Sequence, residues 1–491
     1  MRRARSRYNI LAFCICFYLL SAVILPADST QQRFEAAVDK IIGEYSNTKT
    51  QWGVAIRRDG GQSLYEKKSL RMLVPASNRK LFTSVLAMHA MGPNYRYRTT
   101  ISAGGEVTER GHLRGDLVLT GSGDPTFGNP DFNAGSITGT LEEWADHIAA
   151  SGIRFIHRDI AIDCSAFTPD YFAVTELPDD YVVSYAARAS GFPIYKNCIA
   201  VRMEPASQQG LPAKISLYPE EAGIPLNNQS TTGSKNSANT LRITRPQDSD
   251  LITVEGSIPL GAGSEARLIT LRSPPKVAGR IMQSYLAQRG VIVRGDVKVY
   301  YQDQKPQGPL LGSYESPPLT DILRRVNQPS DNFCAEQVYQ SISRRVKGLG
   351  SYNNTREIEL EFLDQIGINP KYVEPEDGSG LSRADKCTAD SIVRLLTWAS
   401  GQEWFEEYKS TLAVSGRSGT LRRRLGGKNL YGRIYGKTGT LNRVSCISGF
   451  YITPNGTRYI FSILINDINT SSGIAAQNKI LETLVKYYSG T

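Results

Sequence analysis

Hydrophobic and polar positions change their pattern twice along the chain of 491 residues. Apolar side chains at helical spacing over residues 31–45 are followed by a strand-like run at 52–58 and a glycine turn. From about residue 98 to residue 313, short alternating segments separated by turn signals predict a β-rich region. Helical spacing returns at 318–346 and at 388–400.

Roughly the last hundred residues add strands and a closing helix. The strand candidates are YGRIYGKTG, VSCISGFYIT and RYIFSILIND, and the helix candidate is SGIAAQNKILETLVKYY. The pattern therefore predicts a domain of helices and sheet in two segments, 31–97 and 314–491. A β-rich insertion, 98–313, separates these segments, and we expect it to contain two modules.

The first 27 residues have the composition of an export signal. The basic stretch MRRARSR precedes an uncharged, mainly apolar run from Ile10 to Leu25, which is shorter than the roughly 20 residues of a membrane-spanning helix. Residues 1–27 are therefore expected to be a secretory signal peptide. An uncleaved N-terminal anchor is the alternative, because Leu25 is not a small residue of the kind that precedes a cleavage site. Either way, we expect an exported protein, periplasmic or associated with the cell wall or membrane.

Composition and charge narrow the class of protein. With 40% hydrophobic and 21% charged residues, the chain is not a disordered polyelectrolyte. The formal charge is +10, and it falls to about +6 without the four arginines of the signal segment. This modest excess of positive charge is typical of a solubilising surface, and it would also suit a protein that acts next to anionic cell-wall polymers. We expect no nucleic-acid partner.

Five cysteines follow the signal segment, at wide spacings. They are Cys164, Cys198, Cys334, Cys387 and Cys446. This pattern predicts neither a disulfide scaffold nor a CxxC zinc site. Export permits disulfides, and Cys164 with Cys198 is the one pair considered. Five buried free thiols are the alternative.

The catalytic motifs that depend on histidine or on a phosphate-binding loop are missing. The sequence has no G-x-S-x-G and no H-E-x-x-H, and a P-loop ending at Lys437-Thr438 fails because Tyr431 replaces its first glycine. What remains is an S-x-x-K pair, Ser77 and Lys80, at the start of a predicted helix. Positions i and i+3 share one helix face, so the lysine can reach the serine. A serine hydroxyl needs an adjacent base, and a lysine serves as one only when neutral, which burial and a second cation favour.

Two further motifs complete a nucleophile system. Lys437, at the head of a K-T-G, is the candidate second cation. In the triplet Ser330-Asp331-Asn332, the hydroxyl could carry a proton to a leaving group and the amide could hold a substrate amide. Each motif alone is more often an ordinary cap, loop or strand end. Together and in this order they are typical of class A β-lactamases and penicillin-binding proteins.

Longer stretches around the motifs add a family resemblance. These stretches are VPASNRKLFTS, GDLVLTGSGDPTF, QPSDNFCAEQ, EDGSGLSR, SGTLRRRL and YGKTGTLNRVSCISGFY. From about residue 33 to its end, the chain resembles the class C low-molecular-mass penicillin-binding proteins, the D-alanyl-D-alanine carboxypeptidase/endopeptidases of the penicillin-binding protein 4 type. The resemblance implies an α+β fold with a penicillin-binding-protein/serine β-lactamase-like domain. Its antiparallel sheet would be flanked by helices on both faces, with the terminal helices packed together. Ser77 and Ser330 would lie in helical parts, and Lys437 on an edge strand.

The resemblance also implies a serine D-Ala-D-Ala carboxypeptidase that acts on peptidoglycan stem peptides and cross-links and is acylated by β-lactams. Ser77 would attack the penultimate D-alanine carbonyl, with Lys80 as its base. Ser330 would relay the proton to the departing amine, and Asn332 would hold the acyl-side amide. Lys437 would face the carboxylate of the leaving residue. Neither a metal nor a cofactor is implied.

Substrate-binding residues are carried over from the same resemblance. Thr438 would join Lys437 at the leaving carboxylate, and Gly439 completes the motif. Backbone N–H groups of Ser77 and Thr440 would form the oxyanion hole.

The resemblance further implies a pocket for a diamino acid side chain. It would use the carboxylate of Asp180, the aromatic ring of Tyr185 and the apolar wall of Leu441. A solvated turn at Asp179-Asp180 is the alternative, and the following FPIYKN is bulkier than the family's alanine-rich run. The stretch from Asp377 to Arg383 has no assigned chemistry and is expected to be a glycine-rich turn that frames the cleft.

Two other functions compete with the peptidase. A β-lactamase of unusual length is disfavoured because about 250 positions separate Ser77 from Ser330 and no deacylation glutamate is evident. A non-catalytic protein that binds the wall or senses β-lactams is disfavoured because every motif residue is intact.

Overall fold

The computed structural model describes residues 29–61, 63–132, 136–169, 182–302 and 308–490. In these ranges the helices are α1 (Ser29–Tyr45), α2 (Arg79–Met91), α3 (Gly139–Ala150), α4 (Pro274–Gln288), α5 (Leu319–Asn327), α6 (Asn332–Lys347), α7 (Tyr352–Gln365), α8 (Ala389–Ser400), α9 (Phe405–Thr411) and α10 (Thr470–Tyr488). None of them combines the length and the apolar character that crossing a membrane would require. The predicted signal segment, 1–27, lies outside the described residues.

Strands in the first part of the chain are β1 (Gln51–Arg58), β2 (Ser63–Lys67), β3 (Arg98–Ala103), β4 (Glu106–Val107), β5 (His112–Arg114), β6 (Leu117–Thr120), β7 (Phe155–Ile156), β8 (Ile160–Asp163), β9 (Cys198–Glu204), β10 (Lys214–Tyr218), β11 (Leu226–Gly233) and β12 (Arg242–Thr244). The later strands are β13 (Ile252–Pro259), β14 (Glu265–Thr270), β15 (Ile292–Val293), β16 (Val297–Tyr300), β17 (Leu310–Glu315), β18 (Val373–Glu374), β19 (Lys386–Cys387), β20 (Ala413–Val414), β21 (Ile434–Leu441), β22 (Val444–Ile452) and β23 (Arg458–Asn466).

The central sheet has six strands in the order β2-β1-β23-β22-β21-β20, and every neighbouring pair is antiparallel. Side chains alternate between its faces, as the pleat requires. On β23, Ile463 and Ile465 lie in the core beneath α1 and α10, whereas Leu464 lies in the core formed with α2, α5, α6 and α8. The terminal helices pack together, with the rings of Phe34 and Tyr488 5.3 Å apart. The expected sheet with helices on both faces is confirmed.

The inserted region begins and ends in one pair of strands. β3 and β17 run antiparallel, with Arg98 opposite Glu315, so the chain leaves and re-enters the first domain at one place. They belong to a five-stranded sheet, β16-β8-β6-β3-β17, beside a four-stranded and two three-stranded sheets. Two helices, α3 and α4, pack among these strands; the sequence pattern predicted a β-rich region and did not identify either helix. Most buried apolar side chains of the inserted region form one cluster, which extends from Ile101 to Val291. The division into two modules and the limits of 98–313 stay predictions.

The helical segment predicted over 318–346 is divided into α5 and α6 by a short loop. Ser330 lies in this loop with φ +67°, so the expectation that it is helical was wrong. The physical reason is local. Pro329 has no N–H to donate to a helix, and the side chain of Asp331 accepts a hydrogen bond from Cys334 N at 3.0 Å and caps α6.

The five cysteines beyond the signal segment are buried and unpaired. The pair considered from the sequence, Cys164 with Cys198, is therefore absent, and the alternative of five buried thiols describes the structure.

Candidate active site

Ser77 lies in a short 3-10 turn, Ala76–Asn78, that continues directly into α2. Lys80, in the first turn of that helix, places Nζ 3.1 Å from the Oγ of Ser77. The lysine is completely buried, whereas the serine is partly exposed. The spacing of the S-x-x-K pair thus brings a buried amine to a hydroxyl that solvent can reach.

Lys80 has three hydrogen-bond partners. Besides Ser77, its Nζ donates to Oδ1 of Asn332 and to the carbonyl oxygen of Ser379, both at 2.7 Å. Burial lowers the pKa of Lys80 to about 8, although carboxylates, first among them Asp377, act in the opposite direction. A neutral amine keeps two N–H donors and gains a lone pair. It can therefore donate to Asn332 and Ser379 and accept a proton from Ser77.

A second lysine–serine pair lies beside the first. Nζ of Lys437 donates to Oγ of Ser330 and to the carbonyl oxygen of Thr438, each at 2.8 Å. Burial, with the nearby charge of Lys80, holds the pKa of Lys437 well below its ordinary value. Ser330 adopts the left-handed conformation, which costs an L-residue roughly 1–2 kcal/mol. Strain of this kind persists where the surrounding structure fixes it, and it is concentrated at functional sites.

Lys437 lies on β21, which is not the outermost strand of the sheet. β20 pairs with the beginning of β21, Ala413 with Gly436 and Val414 with Tyr435. The expectation of an edge strand was therefore wrong for the first part of β21, which β20 covers as far as Gly436. The pairing ends at Gly436, so the outer side of β21 is not covered by β20 from Lys437 onward.

Two glycines pack closely against the turn that carries Ser77. A Cβ on Gly439 would lie 2.6 Å from the carbonyl oxygen of Pro75 and 3.0 Å from the backbone nitrogen of Ser77. Gly380 has φ +79°, and a Cβ there would lie 2.0 Å from the carbonyl oxygen of Ala76. Larger residues would push β21 and the 377–383 loop away from the turn that carries Ser77.

Comparison with known proteins identifies the family of this chain. A sequence model of the D-Ala-D-Ala carboxypeptidase 3 (S13) family matches residues 34–487. The chain belongs to this family. It is a serine D-Ala-D-Ala carboxypeptidase, a peptidase, and the family expected from the motifs is confirmed. The D-alanyl-D-alanine carboxypeptidase of Actinomadura sp. (strain R39) is 32% identical over 443 residues, 87% of this chain and 79% of that relative.

A second relative connects the carboxypeptidase to solved structures. DacB of Haemophilus influenzae is 25% identical over 403 residues, 81% of each chain. The crystal structure of penicillin-binding protein 4 (dacB) from Haemophilus influenzae superposes with a TM-score of 0.80 at 22% identity, over 92% of this chain and 99% of that one. The same protein has been solved in complex with a β-lactam. The shared fold confirms the predicted α+β architecture.

The candidate substrate residues of the carboxypeptidase are only partly described. Asp180 lies outside the described residues, so the structure does not place it. Tyr185 is 49% exposed, and its carbonyl oxygen accepts a hydrogen bond from Nδ2 of Asn332 at 3.0 Å. Thr440 is exposed and Leu441 half-buried, both at the end of β21.

Thr420 is a site residue that the sequence analysis missed. Its hydroxyl accepts a hydrogen bond from Oγ1 of Thr438 at 2.8 Å, and its backbone N–H donates to the carbonyl oxygen of Gln328 at 3.0 Å. Thr420 therefore connects the K-T-G strand to the loop of Ser330. It stands within SGTLRRRL, which carried the family resemblance without an assigned role.

The loop at 377–383 contacts Lys80 directly through the carbonyl oxygen of Ser379. Asp377 closes the loop by accepting hydrogen bonds of 2.5–2.9 Å from three of its backbone N–H groups. Arg79 fixes the loop from below, since its Nε donates to the carbonyl oxygen of Asp377 at 2.8 Å while its guanidinium pairs with Glu359. Nothing in the sequence marked Arg79, Ser379 or Glu359 as members of this network.

Proposed function

We propose that the carboxypeptidase works through an acyl-enzyme on Ser77. Oγ of Ser77 attacks the carbonyl carbon of the penultimate D-alanine, and its proton passes to neutral Lys80. The C–N bond to the terminal D-alanine then breaks, and Ser330 passes a proton to the departing amine. Water hydrolyses the ester and frees the hydroxyl. The observation that carries this proposal is the 3.1 Å contact of Ser77 with a buried amine whose pKa is about 8.

Substrate binding is proposed to use the groups around this pair. Asn332 would hold the acyl-side amide, and contacts at both ends of its side-chain amide support a fixed orientation. Lys437 and Thr438 would bind the terminal carboxylate. The burial of Lys437 supports this role, because an incoming carboxylate favours the charged amine. Backbone N–H groups of Ser77 and Thr440 would stabilise the oxyanion, where loss of one donor typically costs about 10²–10³ in rate.

We further propose that the substrates are peptidoglycan stem peptides ending in D-Ala-D-Ala, and that cross-links are cut at the same site. β-Lactams would acylate Ser77 and leave slowly. The family and the β-lactam complex of the Haemophilus influenzae relative support both statements. Asp180, Tyr185 and Leu441 would accept a diamino acid side chain. The substrate and the N-terminal pattern together support export to the periplasm or cell wall, with peripheral association there.

Labelling with fluorescent penicillin tests the proposed nucleophile. Residues 28–491 should acquire one covalent label and release D-alanine from a D-Ala-D-Ala peptide, and Ser77→Ala should do neither. Sustained hydrolysis of nitrocefin would instead favour the β-lactamase. If the folded wild-type protein takes no label, the acyl-enzyme proposal is wrong, and a protein that binds the wall without catalysis is favoured instead.

A further inference from the structure

A charged side chain of the inserted region, Lys196, contacts the loop that carries Ser330. Nζ of Lys196 lies 2.6 Å from Oδ2 of Asp331 and 3.1 Å from Oδ2 of Asp131. Lys196 and Asp331 are 135 positions apart in the chain. Asp331 stands between Ser330 and Asn332, so the ion pair fixes the middle residue of the motif.

The backbone at Lys196 is strained. Tyr195, Lys196 and Asn197 have φ of +46°, +55° and +56°, a run of left-handed residues that L-amino acids rarely adopt. The side chain of Asn197 stabilises the turn by donating to the carbonyl oxygen of Arg188 at 2.6 Å and accepting from the N–H of Ile194 at 3.2 Å. Strain retained at such a turn is a pointer to function.

The two side chains of this contact carry opposite charges and are both largely buried. The side chain of Lys196 is 21% exposed and that of Asp331 is 6% exposed. Burial alone would lower the pKa of Lys196, but Asp331 and then Asp131 raise it above its ordinary value. Asp131 has a second cation, Arg325, at 2.7 Å. The other oxygen of Asp331 remains available to cap α6.

We propose that Lys196 is a positioning residue of the carboxypeptidase, and this inference rests on the proposed function. Through Asp331, Lys196 holds Ser330 and Asn332 where they meet the two lysines of the site. The carbonyl of Tyr185 on Asn332 is a second contact from the inserted region to the same loop. The inserted region is therefore part of the scaffold of the catalytic centre.

Loss of Lys196 should release the loop in a specific way. Asp331 would keep a buried charge without its nearest cation, which is unfavourable. Because Asp331 directly follows Ser330, its release would also remove a constraint that holds Ser330 in the left-handed conformation. A displacement of about 1 Å in a reacting group can reduce a rate about 10²-fold.

The test compares Lys196→Ala, Lys196→Arg and wild type within residues 28–491. Acylation by fluorescent penicillin is measured together with kcat and KM for a D-Ala-D-Ala peptide. We expect Lys196→Ala to lower the acylation rate and kcat about 10- to 100-fold, with a smaller change in KM. Lys196→Arg should recover most of the loss, because a guanidinium can still pair with Asp331.

A matched control separates positioning from folding. Lys298→Ala removes an ion pair with Asp159 of the same 2.6 Å length in the inserted region. Both alanine variants are followed by thermal unfolding, and rates are expressed per folded molecule. Asp331→Asn should resemble Lys196→Ala, and the double variant should be no slower than the slower single variant.

The outcomes distinguish this inference from the proposed function. If Lys196→Ala, folded, is acylated at the wild-type rate, or if Lys196→Arg fails to recover activity, the positioning role is overturned. If wild type takes no label, or Ser77→Ala still does, the acyl-enzyme itself fails.

Discussion

Nζ of Lys80 donates a hydrogen bond of 2.7 Å to the carbonyl oxygen of Ser379, 299 positions further along the chain. A carbonyl oxygen only accepts, and so does Oδ1 of Asn332, the second partner. Both therefore occupy N–H groups of Lys80 in either protonation state. The lone pair of the neutral amine is left to Ser77, the one partner of Lys80 that can give up a proton. The loop of Ser379 thus orients the amine of Lys80.

The rate of acylation should follow the protonation of Lys80. Because its pKa is about 8 and only the neutral amine is a base, the rate should rise about tenfold per pH unit below 8 and level off above it. The second-order rate of labelling by fluorescent penicillin, measured from about pH 6 to about pH 9.5, checks this. A rate independent of pH across that range, in protein shown to stay folded, would contradict it.

Glu336 should set the position of that pH profile. It is buried in the same cluster, where Gly378 N donates to its Oε2 at 3.1 Å, and burial raises its own pKa to about 7. Its negative charge raises the pKa of Lys80. Glu336→Gln removes the charge, so the acylation profile should shift to lower pH. Glu361→Gln, at an exposed position on α7, is the control that should leave the profile in place. A shift of the Glu336→Gln profile to higher pH would refute this role.

Gly439→Ala should impair acylation more than stability. The added Cβ would meet the carbonyl oxygen of Pro75 at 2.6 Å and the nitrogen of Ser77 at 3.0 Å, so β21 must move away from the turn of Ser77. We expect the labelling rate to fall about 10²-fold, because the oxyanion donors would separate. Gly427→Ala, where a Cβ would meet nothing within 4 Å, should label at the wild-type rate. Equal rates for the two variants would show that the close approach of β21 has no catalytic role.

Features that depend on the spacing of residues within one helix or strand could be predicted from the sequence. The spacing of Ser77 and Lys80 on one helix face brings their side chains to 3.1 Å without any knowledge of the rest of the chain. Strand-like patterns likewise predicted β21 to β23, and helical spacing predicted the closing helix α10. Local chemistry also explains the error at Ser330, since Pro329 and the cap at Asp331 interrupt a segment whose apolar spacing is helical throughout.

Long-range contacts were beyond the same reasoning. Lys437 and Ser330, 107 positions apart, were grouped only because their motifs occur together in known enzymes. Lys196 has no such motif, and its neighbours in sequence do not indicate that it meets Asp331. Two helices of the inserted region, α3 and α4, were missed because short alternating segments dominate the pattern around them.

The buried pair of Arg79 and Glu359 gives the last prediction, which concerns stability. Two hydrogen bonds, 2.7 and 2.5 Å long, join the guanidinium to the carboxylate, and both side chains are at most 2% exposed. Glu359→Gln would leave the buried cation without this carboxylate and with the carboxyl group of Asp385 at 3.4 Å. The free energy of unfolding should therefore fall by about 3 kcal/mol. Glu357→Gln breaks the exposed pair with Lys347 and should cost less than about 1 kcal/mol. Denaturant unfolding of the two variants measures both, and a loss of similar size in each would mean that the buried pair stabilises the protein no more than an exposed one.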